Sequence, residues 1–194
     1  MANDRAMEEP VRDLKLFWWM FAVRGGLAII FAVVLFFASI FLGIFFFDPV
    51  TLVYLSLLLG SFVLGNALLL GVGTGFAFEH RLHIWRLLLC ECCAAVLLGG
   101  FIGFSLTMTS RSLAFLAGLH ATGNGCFQAA LAVKLRAERP NMLLLSFAAL
   151  VSLCIGAVFL LHFHQAARTT TQALAGFEIF CGIVWIALAS RLRP

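Results

Sequence analysis

Residues 28–37 read AIIFAVVLFF, ten apolar side chains in succession. A transmembrane β-strand alternates apolar and polar positions, and this run does not. A window of about 20 apolar residues is long enough to cross a hydrocarbon core of about 30 Å as a helix. Similar windows follow along the chain. They predict six spans: Leu16–Phe36 (extendable to Phe47), Thr51–Val72, Leu87–Thr107, Ser112–Val133, Met142–Phe163 and Thr171–Ser190.

Composition points the same way. Of 194 residues, 63% are hydrophobic and 11% charged, and the mean hydropathy is +1.06. Soluble domains carry about 25% charged residues, so these charges are too few to cover a surface in water. The expected fold class is an all-α, polytopic membrane protein with six transmembrane helices. The opening stretch MANDRAMEEPVRDLK (1–15) mixes acids and bases without a small-residue cleavage pattern. It reads as a cytoplasmic N-terminal segment, with span 1 as an uncleaved signal anchor, and residues 16–194 as one membrane domain.

Orientation follows from the lysines and arginines. Arg5, Arg12, Lys15, Arg81, Arg86, Lys134, Arg136, Arg139, Arg191 and Arg193 fall on one side, against Arg111 and Arg168 on the other. Both termini are therefore expected in the cytoplasm, with the chain in a bacterial inner membrane. The net charge of +4 is spread over short segments rather than gathered on one face. That pattern argues against nucleic-acid binding.

An internal repeat organises the spans. LLGSFVLGN (58–66), LAGLHATGN (116–124) and LAGFEIFCG (174–182) recur at an offset of 58 residues. Gly60, Gly65 and Asn66 match Gly118, Gly123 and Asn124, while Gly176 keeps the offset and Gly182 comes one residue late. The chain reads as three helical hairpins in the same orientation, about 16–78, 79–138 and 139–194. Parallel repeats differ from the inverted repeats seen in many alternating-access transporters.

WWMFAVRGGLAIIFAV (18–33), DPVTLVYLSLLLGSFVLGNALLL (48–70) and LAGFEIFCGIVWIALAS (174–190) together resemble the HdeD family of small bacterial inner-membrane proteins. The resemblance runs from Trp18 to Leu192. It rests on the order of an aromatic start, Arg-Gly, Pro-x-Thr-Leu and spaced glycines. Repeats 2 and 3 lack the proline, and CECCAAV (90–96) is foreign to the pattern. The resemblance implies a three-hairpin fold and a part in acid or envelope-stress tolerance.

Ionisable groups at membrane depth are informative, because each costs about 2.5–3.5 kcal/mol at the centre of a helix on insertion scales. Four stand in the spans: Arg24, Glu91, His120 and Glu178. Arg24 can snorkel past Trp18 and Trp19, or form a charge pair with Glu91 at similar depth. His120 and Glu178 occupy equivalent places in repeats 2 and 3, with Phe62 in repeat 1. Packed face to face they would fix helix register or form a proton-responsive pair, with Asn66, Asn124 and Gln128 extending a polar track.

Gly60, Gly65, Gly99, Gly103, Gly118, Gly123, Gly176 and Gly182 provide small faces for close helix packing. GVGTGF (71–76) has neither the strand nor the lysine of a phosphate loop. The six cysteines read as apolar fillers, without the ligand spacing of a metal site. No nucleophile, zinc-protease or paired-carboxylate pattern is present. A non-enzymatic protein without a cofactor is expected, whose partners are the lipid bilayer and, as homo-oligomer or scaffold, further copies or other membrane proteins. A small-solute or proton permeation path through the His120/Glu178 region is the alternative.

Overall fold

Away from water, a backbone N–H or C=O must find its partner within the chain, and a helix supplies one four residues away. The computed structural model describes residues 15–45, 48–80, 82, 84–104, 109–135, 139–161 and 167–193. These form six helices: α1 (Trp18–Phe45), α2 (Asp48–Glu79), α3 (Trp85–Phe104), α4 (Ser110–Lys134), α5 (Arg139–Leu161) and α6 (Ala167–Leu192). No strand occurs among the described residues. Most of the N-terminal segment lies outside them, as do Arg81, Arg136 and the stretch 162–166.

Local chemistry sets the helix starts. Pro49 and Pro140 each stand second in their helix, where the first turn has no use for an N–H. Thr109 caps α4 in extended conformation (φ −103°, ψ 160°), its hydroxyl accepting from the Ser112 N–H at 3.2 Å. Helix α2 continues to Glu79 rather than stopping at Val72, which takes the GVGTGF stretch into regular helix.

Five helices, all but α4, contain stretches long and apolar enough to cross a membrane. The span expected at Ser112–Val133 is helical, but it falls short on its own because it carries His120, Thr122, Asn124 and Gln128. Those side chains make α4 dependent on its neighbours. The polarity of the bundle is inverted relative to a protein in water. Ile30, Phe37, Leu68, Leu97 and Leu161 are each at least 63% exposed, whereas Arg24, Asn124, Gln128, Ser152 and Glu178 are buried.

The two helices of each expected hairpin are not each other's closest partners. The most extensive contacts join α1 to α6, α2 to α3 and α4 to α5, while α1·α2, α3·α4 and α5·α6 touch more thinly. Each close pair crosses at glycine. A Cβ added to Gly25 would stand 2.7 Å from the Gly182 carbonyl oxygen, and one added to Gly60 would stand 2.9 Å from the Gly103 nitrogen. One on Gly118 would meet Leu160 at 2.8 Å and the Gly156 carbonyl oxygen at 3.2 Å, and one on Gly99 would meet Leu64 at 2.9 Å. Backbones this close leave no room for a side chain between them. At Gly65, Gly123 and Gly176 an added Cβ would meet no heavy atom within 4 Å.

Candidate intramembrane polar site

Two helices carry most of the polar interior, and helical spacing explains how. On α4, His120, Asn124, Phe127 and Gln128 lie at intervals of four, three and one, which puts them along one face. On α6, Glu178, Cys181, Gly182 and Trp185 do the same. These faces meet. His120 Nε2 lies 2.8 Å from Glu178 Oε1, with the Glu178 side chain only 3% exposed. Phe62 of α2 sets its ring edge-on to the His120 imidazole at 6.1 Å and stacks on Phe31 at 4.0 Å. The three positions matched by the 58-residue offset thus converge around one point.

Arg24 of α1 points inward rather than back toward its helix end. Its guanidinium donates from Nη2 to Glu91 Oε1 of α3 and, at 3.3 Å, to Asn124 Oδ1 of α4. It also lies over the Trp185 ring at 4.7 Å and the Phe127 ring at 5.2 Å. Trp185 is held flat by stacking on Phe21, centroids 5.5 Å apart. A cation over desolvated aromatic faces gains up to about 2 kcal/mol. Together with the carboxylate, this offsets part of the cost of burying the charge.

The network extends past the charged groups. Asn124 Nδ2 donates to Cys181 Sγ at 3.3 Å, and Ser152 Oγ of α5 donates to Gln128 Oε1 at 3.0 Å. Asn66 donates to the Phe62 carbonyl within its own helix, at 3.4 Å. A void of about 10 Å³, room for one water, lies among Arg24, Asn66, His120, Asn124 and Glu178.

Beside this network, a cavity of about 340 Å³ is bounded by α2, α3 and α4, with Arg24 at its inner end. Its walls are chiefly apolar, including Val63, Leu70, Leu87 and Leu98, and its inner end holds Asn66, Glu91, His120 and Asn124.

Arg24, Glu91, His120, Glu178, Asn124 and Asn66 all gather in this region, whereas Gln128 bonds to Ser152 on its far side. Ser152, Cys181, Phe127 and Trp185 are participants that reading the sequence did not single out. The spacing of Cys181 and Trp185 from Glu178 marks them as sharing its face. Ser152 has no such signal, because nothing local to α5 indicates a polar partner on α4. Among the described residues, no group of three or more His, Cys, Asp or Glu is placed to hold a metal ion. Comparison with protein-family models, curated proteins and solved structures returns no match.

Proposed function

We propose that this chain is a non-enzymatic, multi-pass inner-membrane protein of HdeD type, with both termini in the cytoplasm, that contributes to acid or envelope-stress tolerance through its buried polar network. The contact that carries this reading is His120 Nε2 to Glu178 Oε1, at 2.8 Å. Whatever the starting protonation state of the pair, each proton it takes up raises its charge by one. The added positive charge arises next to Arg24, with Glu91 already engaged by that arginine. Repulsion in a low-dielectric interior then loosens the packing of α4 against α6. The glycine crossings join each even-numbered helix to the odd-numbered helix that follows, with α6 returning to α1. They run between the expected hairpins, and it is their threefold recurrence that supports the repeat.

The test is cysteine accessibility or hydrogen exchange over residues 118–125, compared at pH 7 and about pH 4. Accessibility should rise with acid in the wild type and stay constant in His120→Phe, which places the Phe62 side-chain type at the matched position. A wild type unchanged by acid sinks the proposal. The cavity next to His120 favours a second reading, a proton or small-solute path. Proton flux into liposomes that vanishes in Glu178→Gln would support that reading instead.

A further inference from the structure

The cavity between α3 and α4 opens on the outside of the bundle. Cys90 and Ala94 on the α3 wall, and Leu119, Gly123 and Cys126 on the α4 wall, are all exposed. The thin contact between these two helices leaves the gap that the cavity occupies. The surface at the opening is apolar, with Leu119 of α4 39% exposed on its wall and Leu97 of α3 75% exposed to one side. In a membrane-spanning chain such an opening faces hydrocarbon, so what enters comes from the bilayer and brings an apolar chain.

The inner end specifies the head group. Arg24 and Glu91 neutralise one another there, so a permanently charged head would leave an uncompensated charge in a desolvated site. Among the described residues, three buried atoms of the lining lack hydrogen-bond partners: Arg24 Nη1, a donor, and Asn66 Oδ1 and Glu91 Oε2, both acceptors. Unmet hydrogen-bonding capacity in a dry interior is destabilising. The complement of two acceptors and one donor is an uncharged head that donates twice and accepts once. Two neighbouring hydroxyls do this. We propose that the cavity is a lateral binding site for an uncharged, single-chain lipid with a diol head, as in a monoacylglycerol. The head reaches Arg24, Asn66 and Glu91, while the chain leaves between α3 and α4 into the bilayer. Its volume lies at the low end of small-molecule sites, which suits a head group and the first part of one chain. This site does not depend on whether His120 and Glu178 respond to acid.

The experiment uses the full-length protein in phosphatidylcholine nanodiscs with a photoactivatable monoacylglycerol, and maps the cross-links by mass spectrometry. Cross-links should concentrate on residues 87–98 and 119–127. Monolaurin should displace the probe at a concentration about tenfold lower than dodecyl sulfate or dodecyltrimethylammonium. Gly123→Leu fills the cavity at a position where an added Cβ meets nothing within 4 Å, and Ala94→Leu narrows it from the opposite wall. Each should reduce wall labelling about tenfold with the protein still folded. Two variants guard against one failing to fold. Labelling spread evenly over all outward-facing helices, or unchanged in both variants, would overturn the site. Equal displacement by the charged amphiphiles would overturn the assigned head group. Loss of labelling as two chains share a disc would show that a second copy covers the opening, and would overturn the lipid assignment.

Discussion

His120 and Glu178 stand 58 residues apart in the chain and 2.8 Å apart in the bundle, so the offset that relates the glycine motifs also relates the two halves of one hydrogen bond. Phe62, a further 58 residues upstream, packs its ring against the same imidazole. Three matched positions on three helices therefore supply an aromatic, a base and an acid to one point. The contact sits near the middle of α4 and α6, where an unpaired polar group has no water to turn to.

Replacing the acid distinguishes its charge from its hydrogen bond. Glu178→Gln retains a polar partner for His120 and should change stability at pH 7 by less than about 1 kcal/mol. Glu178→Leu strands His120 Nε2 and should cost about 1–3 kcal/mol. Thermal unfolding in detergent separates the two. Equal losses would mean that the hydrogen bond contributes little.

The Arg24–Glu91 pair is open to a double-mutant cycle. Arg24→Leu or Glu91→Leu alone leaves one charge buried and should destabilise by about 3–5 kcal/mol. Arg24→Leu additionally removes the cation from the Trp185 and Phe127 rings, so it should be the more damaging of the two. The double substitution should recover much of the loss, and strictly additive losses would contradict a direct pair.

Glycines at the crossings should respond differently from those facing open space. Gly182→Ala places a methyl group 2.8 Å from the Gly25 carbonyl oxygen and should lower stability by about 1–3 kcal/mol through forced separation of α1 and α6. Gly65→Ala and Gly176→Ala meet nothing and replace the weaker helix former, for a gain of up to about 1 kcal/mol. Unfolding midpoints of the three variants make the comparison. A damaging Gly65→Ala would point to a contact beyond the single chain.

Thr109 and Glu79 are both exposed and lie at opposite ends of the helices. Single cysteines placed there in a Cys-free background should react with an impermeant reagent from opposite sides: Thr109→Cys from the periplasm, Glu79→Cys only after the cells are opened. The reverse pattern would invert the orientation expected from the lysine and arginine bias.

Much of the site was legible on single helices. The recurrence of a His and a Glu at one place in a repeated glycine pattern identified His120 and Glu178, and matched depth suggested Arg24 with Glu91 as one of two options. The stripe of His120, Asn124 and Gln128 follows from helical spacing. Ser152 was not legible, since a serine in an apolar helix usually bonds to its own backbone, as Ser39 and Ser56 do to Phe36 and Val53. Nothing local to Trp185 or Phe127 indicates a cation over their rings; only the inward turn of Arg24 puts one there.

Helix content, the lengths of the apolar runs and the inward stripe of polar residues are consequences of local composition and of the need to satisfy every backbone group away from water. The sequence by itself therefore determined an all-α chain with apolar helices and a few costly polar groups among them. Which helices pair was decided only in three dimensions. Among lipid-facing helices no hydrophobic force selects one apolar face over another, so close glycine contacts and buried polar bonds choose the partners. Here they join α1 to α6 across the whole length of the chain, and turn Arg24 away from its helix end onto Glu91, Asn124 and Trp185. Those choices depend on the rotation of each helix about its own axis, which a one-dimensional pattern of residues does not contain.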